Sequence, residues 1–355
     1  MGTLFFCFLA FLLASYVVLD GYDIGTGMLH LFVARSDGER RDLLWTIGPL
    51  WDGNEVFLVA AGGTLFFAFP ELYALSFSGF YLPLMIVLWL LIVRGVSIDF
   101  RSHLEAPVWR QFFDVAFALA SALLGFLLGV AIGNVVRGVP VQGESLFLQP
   151  LWTNFMIGGQ TGVLDWYTAI VGFTAVAALA AQGALWAEFR TGGPVHERAR
   201  ALFPRLWVAS AVLTAAMSAV TFAVQPRVLE AFGAEPWRLV FPIAGAAGFF
   251  AALVLHRRGR AGLAFAAWSA FLALLLASAA FGLYPWVLPS SIDPRWSLSI
   301  DEVKAADESL RIGAVWWPIG IALAVVYTSY VHWRFSAPAR APGRAGTEAA
   351  EPPAR

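Results

Sequence analysis

The sequence predicts an all-α integral membrane protein with nine transmembrane helices. Hydrophobic residues fill 59% of the 355 positions, charged residues only 13%, and the mean hydropathy is +0.71. This composition is more apolar than a soluble core requires and is typical of chains that cross a bilayer many times. The formal net charge is −1, so the information lies in where the charges fall along the chain.

Nine apolar stretches are each long enough to cross about 30 Å of hydrocarbon at about 1.5 Å per helical residue. They are predicted at 3–29, 47–69, 74–95, 113–135, 163–187, 205–224, 238–256, 262–286 and 312–334. Together they predict one transmembrane domain over residues 1–335. Residues 336–355, rich in Ala, Pro and Arg, are predicted to form a disordered cytoplasmic tail.

The basic residues support this count of spans and orient the chain. The loops after spans one, three, five and seven and the tail, counted with the span ends that border them, hold 17 of the 23 Lys and Arg residues. Basic residues concentrate in cytoplasmic loops, so the N-terminus is predicted outside and the C-terminus in the cytoplasm. A missed or invented span would have broken this alternation.

Two pairs of acids lie where loop gives way to apolar helix. Asp20 and Asp23 close span one, and Asp52 and Glu55 open span two. A charge at the centre of a membrane helix costs about 2.5–3.5 kcal/mol on insertion scales, so such residues usually face a protein interior or a water path. On the predicted topology both pairs lie near the cytoplasmic face, which indicates a proton-uptake route.

A second interpretation of the Asp52 pair remains open. The spacing from Asp52 to Glu55 resembles a capping box, in which the first residue caps a helix and the acid three positions on reaches back. Pro49 weakens this interpretation, because proline prefers the first helical position and would start the helix earlier. Trp51 and Asn54 are predicted to support the acids, Trp51 either by shielding them from lipid or as an interfacial aromatic residue.

The stretch after span three supplies possible partners for these acids. Arg94, Asp99 and Arg101 could neutralise one another or pair with the acid pairs. The alternative is a solvated basic loop, to which Arg94 and Asp99 are the expected exceptions because they lie nearest the apolar segment.

Span four carries a stripe of small residues, Gly125, Gly129 and Gly133. A glycine at every fourth position allows the backbone of another helix to approach closely. We predict a helix-packing interface there, within this chain or with a partner, and no chemistry.

The residues predict no metal site and no redox centre in this chain. The single cysteine, Cys7, excludes an intrachain disulfide, and the absence of CxxC excludes thiolate metal sites and covalent haem attachment. The five histidines fall at span ends or in loops, which disfavours axial haem ligation, with Met28 and His30 as open alternatives.

From the residues alone two classes of protein remain. One is a proton-handling subunit of a larger complex. The other is a stand-alone ion-coupled transporter whose first helix is broken at DGYDIGTG to bind an ion.

Several longer stretches of the sequence resemble those of a known protein family. In order along the chain they are LDGYDIGTGML, DGERR, WDGNEVFLVAAGGTLFFAFP, YALSFSGFYLP, VSIDFRSHLE, GNVVRGVP, AAQGALW and YPWVLPSS. With these stretches the chain resembles subunit II of the cytochrome bd-type quinol oxidases, including the cyanide-insensitive variety, over nearly its whole length before the tail. The outer loop 287–311 matches only loosely, so no residues are carried over from it.

The resemblance implies a place and a partner. The protein would lie in the bacterial cytoplasmic membrane as two four-helix bundles plus one extra helix, without a haem of its own. Its partner, subunit I, would carry haems of the b and d types and the site of quinol oxidation. The complex would oxidise quinol and reduce dioxygen to water with cytoplasmic protons. A small accessory subunit and a structural quinone or lipid remain open.

The resemblance also assigns roles to the acids. The proton-pathway aspartate of the family's WDGN motif falls on Asp52, and the aspartates of its DGxD motif fall on Asp20 and Asp23. The position of Glu55 varies between Gln and Glu in the family, so whether Glu55 titrates stays open. A third possibility is a purely structural scaffold with no proton traffic.

Overall fold

The computed structural model describes residues 1–142 and 147–335, which are almost entirely helical. The helices are α1 Gly2–Val33, α2 Asp37–Trp45, α3 Trp51–Ala68, α4 Pro70–Gly79, α5 Tyr81–Phe100, α6 Pro107–Arg137, α7 Trp166–Arg190, α8 Gly193–Val224, α9 Pro226–Ala234, α10 Val240–Arg257, α11 Ala261–Leu283, α12 Ile300–Val303 and α13 Asp307–Arg334. Short 3-10 helices lie at Pro236–Leu239 and Pro294–Trp296, and strands β1 Trp286–Leu288 and β2 Leu298–Ser299 pair antiparallel. The predicted tail, 336–355, lies outside the described residues.

Eight helices of the described chain are long and apolar enough to cross a membrane, namely α1, α5, α6, α7, α8, α10 with the preceding 3-10 turn, α11 and α13. The predicted span 47–69 corresponds to α3, which is not among the eight. Its 18 residues reach about 27 Å, and Asp52, Asn54 and Glu55 in its first two turns lower its hydropathy. The count of nine spans therefore stays a prediction that depends on α3.

The predicted span 74–95 is wrong at its start. The structure places two helices there, α4 and then α5, with the break at Phe80. Gly79 ends α4, and Pro83 lies in the first turn of α5, where its missing N–H costs no helical hydrogen bond. The spanning helix therefore begins at Tyr81 and continues to Phe100.

Several short elements in the loops were not predicted. Helix α2 begins with a capping box between Ser36 and Glu39. Arg198 of α8 donates to the Glu39 carboxylate at 2.7 Å and lowers the pKa of that group to about 2. This ion pair fastens the loop helix to the bundle. The outer loop 287–311 contains most of the two-stranded sheet and the short helix α12.

Helix α7 lies at the centre of the fold, with most of its residues buried, whereas few residues of α8 and α13 are buried. Helices α1 and α7 touch along their backbones at Gly25 and Gly183, where a Cβ on either glycine would overlap main-chain atoms of the other helix. Only glycine permits this approach. The contact brings the acidic end of α1 into the interior of the bundle.

We predict that Gly183→Ala lowers the melting temperature of the detergent-solubilised protein, because a methyl group there pushes α1 and α7 apart at a cost of about 1–3 kcal/mol or more. Gly320→Ala on α13 is the matched control, since a Cβ there meets nothing within 4 Å. Differential scanning fluorimetry of both variants measures the effect. Equal melting temperatures would show that the two backbones do not need this contact.

Candidate functional site

A buried arginine joins two acids from different helices. Arg94 of α5 donates from Nη2 to Asp20 Oδ1 of α1 at 2.6 Å and to Glu55 Oε1 of α3 at 2.5 Å. Arg94 and Asp20 are fully buried, and the Glu55 side chain is 23% exposed. One guanidinium thus serves two carboxylates and fixes three helices at the same level.

The second acid of α1 is held by an amide. Asn54 Nδ2 of α3 donates to Asp23 Oδ2 at 2.7 Å and to the Tyr22 hydroxyl oxygen at 2.8 Å. Asp23 is fully buried, and no basic side chain in the described part of the chain forms an ion pair with it. Hereafter the acid cluster means Asp20, Asp23, Asn54, Glu55 and Arg94.

Several buried polar atoms of the acid cluster have no hydrogen-bond partner among the described residues. They are Asp20 Oδ2, Asp23 Oδ1, Asn54 Oδ1, Arg94 Nε and Arg94 Nη1. Buried polar groups in native proteins nearly always have a partner, either protein or ordered water. This group of atoms therefore has the chemistry of a hydrated interior.

Asp52 lies at the surface end of this region. It is exposed in the first turn of α3, whose N-cap is Leu50, and no side chain caps the helix. The capping-box interpretation is therefore wrong, because the helix begins one residue before Asp52 and the Glu55 side chain turns to Arg94 instead. Trp51 is half-buried, and its ring lies over Gly95, beside Arg94.

The other two predicted partners lie elsewhere. Asp99 is exposed and forms none of the expected ion pairs within the described chain, although its carbonyl oxygen contacts His103 Nδ1 at 2.9 Å. Arg101 is buried but lies two helical turns beyond Arg94, about 10 Å farther along the axis, which is too far from the acid cluster. It pairs with Asp114 and Asp37 at 2.6 and 2.8 Å.

Arg101 belongs to a second cluster that was not predicted. Hereafter the basic cluster means His30, Asp37, Arg40, Arg101, Arg110 and Asp114. At its centre the buried Asp114 of α6 accepts from His30 Nε2 and Arg101 Nε, both at 2.6 Å, and from Arg40 Nη1 at 2.9 Å. The sequence feature that could have indicated this cluster is Asp114 itself, a lone acid inside the apolar stretch QFFDVAF.

A third buried acid was also missed. Glu188, near the end of α7, contacts His256 Nδ1 of α10 at 2.7 Å and Arg200 Nη1 of α8 at 3.4 Å. At the opposite end of the helices, Arg137 pairs with Asp165 and donates to Asn134 Oδ1, which holds the loop between α6 and α7. These contacts place a basic side chain beside each carboxylate and suit a structural role.

The glycine stripe of α6 faces helices of the same chain. Gly125 lies against Met28 of α1, while Gly129 and Gly133 lie against the backbone of α7. Met28 is thereby enclosed in the packing between these helices.

No group of three or more His, Cys, Asp or Glu side chains within the described residues is arranged to hold a metal.

Apolar helices of spanning length, packed around buried ion pairs, define a polytopic membrane protein. The sequence profile of the family described as cytochrome bd terminal oxidase subunit II matches residues 1–335, and the chain belongs to this family.

Known relatives support the assignment along nearly the whole chain. The cytochrome bd-I ubiquinol oxidase subunit 2 of Escherichia coli K12 is 30% identical, over 91% of both chains, and the cytochrome bd ubiquinol oxidase subunit 2 of Bacillus subtilis is 29% identical, over 89% of this chain and 90% of its own. The structure of the bd oxidase from Geobacillus thermodenitrificans has a similar fold, with a TM-score of 0.75 over 94% of this chain and 98% of that one, at 19% identity.

The family identifies the chain as subunit II of a cytochrome bd quinol oxidase, an oxidoreductase complex of the bacterial inner membrane. A subunit II implies a subunit I as its partner, in a complex that uses haems. The resemblance found in the sequence is confirmed. The alternative of a stand-alone ion-coupled transporter is not favoured.

We predict that Arg94→Met destabilises the complex by about 3–5 kcal/mol, because it leaves Asp20 buried without a cation. Adding Asp20→Asn should restore part of the loss, since it removes the buried carboxylate that Arg94 pairs with. Thermal melting of the purified complex measures both effects, with Arg258→Met, an exposed arginine, as the control. Equal melting temperatures of Arg94→Met and Arg258→Met would contradict the role of this ion pair.

Proposed function

We propose that this subunit supports subunit I and also conducts protons from the cytoplasm toward the haems that subunit I holds. The observation that carries the proposal is the succession of acids inward from the surface. Asp52 is exposed, Glu55 is partly exposed, and Asp20 and Asp23 are fully buried.

The steps between these groups are short. Asp52 and Glu55 are three residues apart on α3 and so lie on the same side of the helix. Glu55 reaches Arg94, and the same guanidinium reaches Asp20. Asp23 lies one helical turn from Asp20 on α1. A proton taken up at Asp52 thus meets a carboxylate at each level of the path.

The unpartnered polar atoms support proton movement rather than a fixed ion pair. Asp20 Oδ2 and Asp23 Oδ1 are free to hold a proton or to accept a hydrogen bond from water. Ionisable groups inside membrane proteins commonly line proton relays for this reason. Reduction of dioxygen to water consumes protons, so a haem-bearing partner within the membrane needs such a supply.

The direction of uptake follows from the proposed topology. We place the N-terminus outside and the C-terminus in the cytoplasm, with α3 as the ninth span and the helices arranged as two four-helix bundles plus one. Most of the basic residues then face the cytoplasm. The acid cluster lies toward the same end of the helices. The exposed apolar faces of α8 and α13 are available to subunit I, a small accessory subunit or lipid.

A large cavity favours a second role, the binding of a quinone or lipid chain. It has a volume of about 510 Å³, lies among α1, α6, α7, α8, α10 and α11, and is lined almost entirely by apolar side chains. Within it the hydroxyl groups of Tyr16 and Thr214 have no partner among the described residues. An apolar slot with a few polar groups suits a long isoprenoid or acyl chain.

We expect Asp52→Asn to lower quinol-oxidase turnover by about tenfold or more, because a proton carrier is removed from the uptake route. The haem spectrum and the yield of complex should stay unchanged. Oxygen consumption by the purified complex measures the turnover. Glu71→Gln, an exposed acid in the first turn of α4, is the control. Unchanged turnover of Asp52→Asn would contradict proton uptake through Asp52.

We expect Ala211→Phe to reduce the quinone that co-purifies with the complex, because the ring fills the cavity from α8. Ala219→Phe, on the same helix but away from the cavity, should retain the wild-type amount. Organic extraction followed by mass spectrometry measures quinone per complex. Equal quinone in the two variants would contradict quinone binding there, and loss of lipid alone would assign the cavity to lipid.

A further inference from the structure

We propose that His332 of α13 collects protons from the cytoplasm and passes them through Tyr22 to Asp23, as a second uptake route that does not use Asp52. The inference rests on the proposed function of the acid cluster and adds two residues to it. Tyr22 and His332 are 310 positions apart in sequence, and their side chains are in contact.

The hydrogen bonds of His332 determine which ring nitrogen donates and which accepts when the imidazole is neutral. His332 Nδ1 lies 2.8 Å from the carbonyl oxygen of Thr328, which can only accept, so Nδ1 carries a hydrogen. In the neutral ring Nε2 then has a lone pair and accepts the hydroxyl hydrogen of Tyr22 across 2.9 Å. When the ring is protonated, Nε2–H instead donates to the Tyr22 oxygen.

Asn54 holds Asp23, the final proton acceptor, close to the Tyr22 hydroxyl group. Its amide nitrogen donates to both the Tyr22 oxygen and Asp23 Oδ2, at 2.8 and 2.7 Å. Two acceptors held by one nitrogen are close enough to be bridged by a single water molecule. Asn54 therefore acts as a positioning residue, while Tyr22 and Asp23 exchange the proton.

The proton transfer balances without any other reactant. The imidazolium of His332 gives its Nε2 hydrogen to the Tyr22 oxygen, and the hydroxyl hydrogen of Tyr22 leaves toward the Asp23 carboxylate, directly or through one water. Tyr22 is neutral before and after. His332 ends neutral, Asp23 ends protonated, and one proton has moved inward. Asp23 Oδ1, which has no partner among the described residues, is the free acceptor.

His332 is placed to exchange with solvent. It is half-buried in the last turn of α13, next to the exposed Trp333 and Arg334. Imidazole is the side chain whose charge changes near neutral pH. The charged groups that face the relay are Arg190 of α7, which acts on both His332 and Tyr22, and Asp20 and Asp23 of α1, which act on Tyr22.

Packing against α7 holds the Tyr22 side chain of the relay in place. The Tyr22 ring stacks on Trp186 of α7 with centroids 4.0 Å apart, and the guanidinium of Arg190 lies 5.0 Å from the Trp186 ring. Helix α13 is otherwise peripheral, with few buried residues. A purely structural bond at this point would tie α13 to the bundle, so the test must separate assembly from proton supply.

The test measures quinol-oxidase turnover against pH for the assembled complex in wild-type and Asp52→Asn backgrounds. His332→Gln keeps a polar side chain that cannot titrate, and Tyr22→Phe keeps the ring on Trp186 but removes the hydroxyl group. In the Asp52→Asn background turnover should fall as pH rises through the imidazole range, because only the protonated ring has a proton to give. Adding His332→Gln should abolish this pH dependence and lower turnover about tenfold further at neutral pH.

His196→Gln is the matched control. His196 also lies at the cytoplasmic end of the bundle and also contacts a carbonyl oxygen through Nδ1, that of Glu188 at 2.7 Å, but it has no contact with the acid cluster. We expect its pH profile to match that of the parent in both backgrounds. The haem spectrum and melting temperature of each variant report assembly.

Three results would contradict the relay or the proposed function on which it rests. If His332→Gln and Tyr22→Phe keep the parent pH profile in both backgrounds while Asp20→Asn lowers turnover, the relay is wrong and the proposed uptake route stands. If Asp20→Asn and Asp23→Asn also keep full turnover, the proposed function itself fails. If both relay variants lose assembly, the contact is a structural tie and the relay is overturned.

Discussion

The ion pairs of Arg94 hold the interior of this subunit together. A guanidinium that is fully buried must be paired, because an isolated charge in a low-dielectric interior costs several kcal/mol. Its two carboxylate partners come from α1 and α3, while Arg94 itself lies on α5. The pairing therefore sets the heights of three helices relative to one another. It also brings the acid from the exposed first turns of α3 next to the buried acids of α1, which packing alone would not require.

The two clusters at this end of the helices have opposite charge balances, which supports the proposed proton role of the acid cluster and a structural role for the basic cluster. In the basic cluster Asp114 contacts His30, Arg40 and Arg101, so its oxygens are saturated with donors. Such a carboxylate gains little from exchanging a proton. The acid cluster has three carboxyl groups and one arginine, and several of its oxygens lack a partner among the described residues. Excess acid and unpartnered oxygens are what proton exchange requires.

Sequence reasoning succeeded where local composition carries the information and failed where distance in space does. Hydropathy and charge alternation located the apolar helices, and the apolar surroundings of Asp20 and Asp23 marked them as unusual. The break at Phe80 was missed, because a hydropathy window averages over a single residue. The partner of Arg101 was missed for a different reason. Asp114 lies on the next helix, and residue spacing contains no distance between helices. The contact between Tyr22 and His332 could not be seen from the sequence for the same reason.

The first turns of α3 connect the two proposed uptake routes, because neighbouring side chains point in different directions. Glu55 turns toward Arg94 and so toward Asp20, whereas Asn54 turns toward Tyr22 and Asp23. Asp20 and Asp23 are one helical turn apart on α1, so protons arriving by either route reach adjacent carboxyl groups. In the proposed scheme, two surface groups that feed one buried pair would keep the supply open when either is unprotonated. A single acid at the surface would make the whole subunit depend on its own rate of proton capture.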